Sequence, residues 1–199
     1  MKKWIFLILL AGCIWHFWPH RTIVKNAGRP VQRIAAFGDS LTAGYGAGGA
    51  DKSYPAVLAR LTGKEVLNFG VSGDTAAHAP QRLNEVLDVQ PDMVLIFFGG
   101  NDFMRSMSQE VAVAAVAQIV DAVQQTGAIA VVVDTGGPNM GGYTRAYKQL
   151  AEEKQAVFVP QILVGIFHKN KYKSDLIHPN AEGYELVAKK VYKVIKPYL

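Results

Sequence analysis

Met93-Val94-Leu95-Ile96-Phe97-Phe98 is an apolar run with no polar residue set between, and it ends on Gly99-Gly100-Asn101-Asp102. A strand with one wet face alternates apolar and polar residues. An unbroken apolar run belongs to a strand covered on both faces, which is the situation of a parallel sheet lying between helices. Working outward, further strand-like stretches occur at residues 33–37, 65–69, 128–134 and 156–159. Helix-like stretches fall between them at residues 54–61, 75–87, 109–125 and 143–154, and a last one at 181–192, with Asp74 placed to cap the second. Strands separated by helices imply an α/β fold of about five parallel strands with helices on both faces, a three-layer α/β/α sandwich.

The 199 residues suffice for one domain with a real core. Half are hydrophobic and 19% charged, an ordinary globular composition. The net charge of +5 gives a basic chain, but its lysines and arginines are scattered. Lys169, Lys171 and Lys173 form one small cluster, and Lys189, Lys190, Lys193 and Lys196 lie on the last helix. No basic block is interleaved with stacking aromatics, so nucleic acid is not an expected partner. The single cysteine, Cys13, excludes an intramolecular disulfide.

The amino terminus has its own pattern. Lys2 and Lys3 precede an apolar run from Trp4 to Leu10, followed by Leu10-Ala11-Gly12-Cys13. Basic, apolar and small residues in that order make a secretory signal. A cysteine directly after Leu-Ala-Gly resembles the bacterial lipoprotein signal, which implies cleavage after residue 12 and lipidation of Cys13. An uncleaved anchor and plain secretion are the alternatives; His16 interrupts the apolar run, which stays short of the ~20 residues that span a bilayer. Residues 1–12 are therefore expected to be a signal peptide, 13–32 a membrane-proximal tether marked by Pro19, Gly28 and Pro30, and 33–199 the folded domain. All three alternatives put the protein in the cell envelope or outside the cell.

In parallel sheets, function gathers at the carboxyl ends of the strands. Four polar clusters fall there: Gly38-Asp39-Ser40-Leu41-Thr42, Asn68-Phe69-Gly70-Val71-Ser72-Gly73-Asp74-Thr75, Gly99-Gly100-Asn101-Asp102, and Asp175-Leu176-Ile177-His178-Pro179-Asn180 before the last helix. Their chemistry is coherent. Ser40 follows a strand and a tight turn, so its hydroxyl can stand exposed at a helix start. A serine needs a base to act as nucleophile, and His178 can supply it. Asp175, three residues earlier, can hold the imidazole by its other nitrogen. The backbone N–H groups of Ser40 and Gly73 and the Asn101 amide can hold an oxyanion. Taken singly, each has a plainer reading: Ser40 as a helix cap, Gly73 as a turn residue, Asn101 as a cap, His178 and Asp175 as surface groups.

Competing sites are poorer. Gly70-Val71-Ser72-Gly73 is not a Gly-x-Ser-x-Gly elbow, and no Gly-x-Gly-x-x-Gly follows a strand. His78 and His168 have no partners at metal-ligand spacing, and His16 and His20 lie in the tether. Asp92, Asp102 and Asp134 read as caps or turn residues, and Asp39 as the organiser of the Ser40 turn.

Gly-Asp-Ser-Leu, Gly-Val-Ser-Gly-Asp-Thr, Gly-Gly-Asn-Asp and Asp-x-x-His-Pro, in this order from Arg33 to the end of the chain, resemble the SGNH (GDSL-type) hydrolase superfamily, and within it the bacterial thioesterase, arylesterase and lysophospholipase branch. The resemblance implies a flavodoxin-like sandwich without metal or other cofactor. It implies Ser40 as nucleophile, His178 and Asp175 as base and orienting acid, and Ser40, Gly73 and Asn101 as the oxyanion hole. One stretch departs from the branch: Phe103-Met104-Arg105-Ser106 stands where Gly-Leu-Arg-Gly is frequent, which touches acyl-chain preference rather than the reaction. Phe103 beside the oxyanion hole is expected to narrow the groove, unless it turns into the core, and Met140, in the Gly-rich loop 135–142, to wall it. The expected function is serine esterase or thioesterase action on small acyl esters or lysophospholipids. The alternatives are an envelope polysaccharide O-acetylesterase and a non-catalytic binding protein of the same fold.

Overall fold

The computed structural model describes residues 23–199. Five strands form one sheet: β1 (Arg33–Gly38), β2 (Glu65–Gly70), β3 (Met93–Phe97), β4 (Ile129–Val133) and β5 (Val157–Val159). Every pairing is parallel and the order is β2-β1-β3-β4-β5. This is the flavodoxin-like doubly wound arrangement, whose switch point lies between β1 and β3.

The strands alternate their side chains into two cores. Ile34, Ala36, Met93, Leu95, Phe97, Ile129, Val131 and Val133 point to one face. There they meet the helices α2 (Tyr54–Thr62) and α7 (Ala181–Ile195), the latter through Tyr184, Val187 and Val191. Ala35, Phe37, Val94, Ile96, Ala130 and Val132 point the other way, against α3 (Leu83–Leu87), α5 (Gln109–Gln125) and α6 (Gly141–Glu153). β3 and β4 are buried along their whole length, which is why their sequences carry no polar alternation, whereas the edge strand β2 is half-exposed. Two short helices complete the set, α1 (Ser40–Ala43) and α4 (Gly100–Met104), both starting where a central strand ends.

Two expectations change. The stretch 75–87 is not one helix: Ala79–Arg82 is a 3₁₀ turn and only Leu83–Leu87 is α-helical. Asp102, fully buried at the end of β3, reaches across and accepts from Ala76 N (2.9 Å) and Ala77 N (3.4 Å). The contact ties this turn to the β3 exit, and Pro80 has no N–H to give Ala76 O, so a helix starting near Thr75 cannot run on regularly. Asp74 is no helix cap; its carboxylate accepts from its neighbour Thr75 N and from Arg82.

The folded body also begins before Arg33. Val24 and Val31 are buried in the first core. Lys25 N donates to Gln155 O at 2.9 Å, and the Asn26 amide donates to Gln124 O and Ala128 O, both at 2.9 Å. Residues 24–32 are thus a strap across the amino ends of the strands, and the expected tether shortens by that length. The expected signal peptide 1–12, Cys13 and the tether through residue 22 lie outside the described residues.

Candidate active site

β1 ends at Gly38, and Asp39 caps α1 by accepting from Leu41 N at 2.9 Å. Ser40 is the first helical residue, so its N–H points out of the helix end without an intrahelical acceptor. The helix can lie close over β2 because Gly70 has no side chain: a Cβ there would collide with the Ala43 backbone. These constraints fix the Ser40 hydroxyl at the switch point of the sheet.

His178 arrives from the other end of the chain. Its loop is pinned by Ser174 N donating to His178 O (2.9 Å) and Asn180 N donating to Tyr172 O (2.9 Å), and Asn180 caps α7 by accepting from Gly183 N. Nε2 of His178 lies 3.0 Å from Ser40 Oγ, and Nδ1 lies 2.8 Å from Asp175 Oδ2. The other Asp175 oxygen accepts from Ile177 N and His178 N, each at 2.7 Å. Burial raises the Asp175 pKa, but the two backbone N–H groups and the imidazole outweigh it and hold the group at about 2. Asp175 thus stays an acceptor at any pH at which imidazole chemistry proceeds. The Tyr45 ring packs on the imidazole with centroids 4.6 Å apart, and Tyr184 Oη donates to Tyr45 O, so α7 supports both.

The residues expected to hold an oxyanion come from the β2 and β3 exits. Gly73 sits at φ +82, a conformation that favours glycine, and its carbonyl accepts from Arg105 (2.8 Å). Among the described residues the N–H groups of Ser40 and Gly73 have no protein acceptor. The Asn101 amide is buried and donates to Asp74 O at 2.8 Å and to Asp39 Oδ2 at 3.2 Å. Both of its hydrogens are therefore engaged in this state, a detail the sequence did not announce. Asp39 is buried among Asp74 and Asp102; burial first, then those carboxylates, push its pKa up to about 7 against the lowering effect of Leu41 N–H.

Arg82 is the residue that sequence reasoning passed over. It donates to Asp74 (2.7 Å), Phe69 O (2.8 Å) and Gly38 O (2.9 Å), and its guanidinium lies 4.5 Å from the Phe37 ring centroid. It ties the ends of β1 and β2 to the oxyanion loop. Its only sequence signal was a basic residue inside a stretch read as an amphipathic helix.

Ser40 opens onto a groove of about 320 Å³. Phe103 and Met140 both line it, with Leu41, Met104, Leu163 and Phe167. Phe103 is turned toward the groove rather than the core and meets Tyr143 edge-on at 6.3 Å. His78 and His168 are exposed, and Ser72 is exposed outside the triad.

The sequence profile of the GDSL-like lipase/acylhydrolase family matches residues 36–186. An arylesterase of Vibrio mimicus is 29% identical over 189 residues, covering 88% of this chain and 94% of that protein. Thioesterase 1/protease 1/lysophospholipase L1 of Escherichia coli is 29% identical over 174 residues, covering 82% of this chain and 83% of that protein. Among solved structures, TesA superposes with a TM-score of 0.77 at 27% identity, over 84% of this chain and all of that one. AlinE4, an SGNH-hydrolase family esterase, superposes with a TM-score of 0.64 at 34% identity, over 86% and 98%. The chain belongs to the GDSL-like lipase/acylhydrolase family, and its reaction is the hydrolysis of carboxylic esters.

Proposed function

We propose that this hydrolase cleaves small acyl esters and lysophospholipids through an acyl-enzyme on Ser40. The observation that carries the reading is the 3.0 Å contact between Ser40 Oγ and His178 Nε2 at the mouth of an apolar groove. His178 takes the hydroxyl proton as Oγ attacks the ester carbonyl, and the carbonyl electron pair moves onto oxygen. The N–H groups of Ser40 and Gly73 receive that oxyanion, and the Asn101 amide joins them by giving up its longer contact, the one to Asp39. The tetrahedral adduct collapses, the ester C–O bond breaks, and His178 returns the proton to the leaving alcohol or thiol. Water then repeats the sequence on the acyl-enzyme and frees the acid. Asp175 keeps Nε2 facing Ser40 throughout.

The groove lining favours acyl chains over O-acetylated sugars, since a saccharide ring needs hydrogen-bonding walls and these walls are mostly Leu, Ile, Phe and Met, with Thr135 and Asn139 the polar residues away from Ser40. Location in the envelope by lipidation of Cys13 belongs to the same proposal and rests on the Leu10-Ala11-Gly12-Cys13 pattern. The test of substrate class is kcat/KM for p-nitrophenyl acetate, butyrate, octanoate and laurate, and for a lysophospholipid. Turnover of the acyl series and the lysolipid supports the reading; acetate release only from O-acetylated polysaccharide overturns it. Labelled palmitate on wild type and not on Cys13→Ser tests the anchor.

A further inference from the structure

Eight large hydrophobic side chains are exposed among the described residues, and six of them lie in the segments that follow the strand ends and carry the site: Tyr45, Val71, Phe103, Met104, Val164 and Leu176, of which Phe103 and Met104 line the groove itself. Exposed apolar residues scattered singly over a surface carry no message, but a set confined to one rim does. Leu176, 83% exposed, stands between the triad members Asp175 and His178 and has no packing reason to be leucine. Val164 follows Leu163, and Leu176 precedes Ile177, both of which line the groove.

Between them runs Phe167-His168-Lys169-Asn170-Lys171-Tyr172-Lys173. Lys169 and Lys171 are exposed; Lys173 is half-buried, its ammonium 5.6 Å from the Phe167 ring centroid, and the Lys171 ammonium lies 4.5 Å from the Tyr172 ring centroid. Arg105 adds a further exposed charge across the mouth. The carboxylates nearby reduce this charge without cancelling it: Asp74 is paired with Arg82 and Asp51 is offset by its neighbour Lys52, which leaves Asp175 and the exposed Glu182, near Lys171, against Lys169, Lys171, Lys173 and Arg105. The strap over residues 24–32 crosses the opposite end of the sheet and leaves the rim clear.

We propose that this apolar, cationic rim is a docking surface for an anionic lipid bilayer, which presents acyl esters to the groove from the membrane plane. Apolar side chains of this size enter the headgroup region while lysines beside them meet anionic headgroups, and the two contributions add. The inference rests on the ester-hydrolase reading for its purpose, but docking is measured without turnover.

No tryptophan follows Trp18, and among the described residues both cores are assembled from residues 24–195, so the chain from Ile23 onward holds the core contacts shown and carries no tryptophan of its own. Leu176→Trp in that chain places one indole on the rim, and Gln125→Trp places one at the exposed end of α5, on the opposite side. With phosphatidylglycerol vesicles the rim indole is expected to shift to shorter wavelength and the Gln125→Trp indole to stay unchanged. The shift is expected to vanish with phosphatidylcholine vesicles and to weaken as salt rises. Adding Lys169→Glu and Lys171→Glu is expected to weaken vesicle affinity by at least about 25-fold, from about fivefold per lysine. The same charge changes, made in the full-length protein with Leu176 retained, are expected to leave hydrolysis of soluble p-nitrophenyl acetate within about twofold.

No shift at Leu176→Trp, or an equal shift at Gln125→Trp, overturns the proposal. So does a doubled mass in solution with the rim indole already blue-shifted before lipid is added, which would assign the set to a second copy of this chain. Failure of vesicle binding with p-nitrophenyl acetate hydrolysis intact removes the docking surface alone. Loss of that hydrolysis in the wild-type protein removes the ester reading alone.

Discussion

Asn101 Nδ2 lies 3.2 Å from Asp39 Oδ2 and 2.8 Å from Asp74 O, so the amide at the β3 exit is held by the cap of the nucleophile helix and by the oxyanion loop together. The contact to Asp39 is the longer one and, in the proposed mechanism, the one a reacting carbonyl oxygen displaces. Asn101→Ala is expected to lower kcat by on the order of 10²–10³, the usual effect of removing one oxyanion donor, with KM little changed. Steady-state kinetics on p-nitrophenyl butyrate check this. A large rise in KM at constant kcat would make Asn101 a ground-state binding residue instead.

Asp39 predicts a pH dependence of stability. Its folded pKa is about 7 against 3.8 for the unperturbed group. The folded state therefore keeps the Asp39 proton to higher pH than the unfolded chain does. The stability contributed is fully present below pH 4 and is lost as pH rises through about 7. Thermal unfolding of wild type and Asp39→Asn, run from pH 4 to 8, is expected to show a midpoint falling more steeply in wild type. Asn retains an acceptor for Leu41 N, so the cap survives the test. Parallel curves for the two proteins would show that Asp39 is ionised throughout.

Arg82 and Asp74 form a mostly buried pair, with side chains 16% and 10% exposed. Arg82→Met leaves the Asp74 carboxylate without its cation and two strand-end carbonyls without their donor. The expected loss is about 3–5 kcal/mol, the range for breaking a buried pair from one side. Asp74→Asn added to Arg82→Met is expected to recover part of it, which a double-mutant cycle measures by urea unfolding. Strict additivity would mean that the pair is not coupled.

Phe103 lines the groove at Ser40 and, on the proposed function, narrows it for acyl chains. Phe103→Ala and Phe103→Gly are both expected to raise the octanoate-to-acetate ratio of kcat/KM by about tenfold, from ~0.8 kcal/mol for each newly accommodated methylene. The alanine variant guards against the cost of glycine inside α4. An unchanged chain-length profile in both variants, with stability retained, removes Phe103 from the groove wall.

Much of this was legible in the sequence because it is local. Apolar stretches placed the strands, unbroken in β3 and interrupted by Asn68 in the edge strand β2, and the polar residues after them placed the rim. The missed parts depend on contacts made at a distance. Nothing near Thr75 shows that Asp102 will reach across from the β3 exit and hold the N–H groups of Ala76 and Ala77. Gly28 and Pro30 punctuate residues 24–32 as a loop would, yet Val24 and Val31 reach the core because Asn26 fastens the strap to the end of α5. Arg82 looked like the polar face of a helix, and only the closed sheet brings Gly38 O and Phe69 O within its reach.

The central claim is that Ser40 is the nucleophile, and it is tested by one comparison: fluorophosphonate labelling and p-nitrophenyl butyrate hydrolysis in wild type, Ser40→Ala and Ser72→Ala. The account predicts that wild type and Ser72→Ala label at the peptide containing Ser40 and turn over alike, while Ser40→Ala takes no label and loses activity by on the order of 10⁴ or more. Activity of Ser40→Ala within tenfold of wild type, with the label retained on another residue, would contradict it.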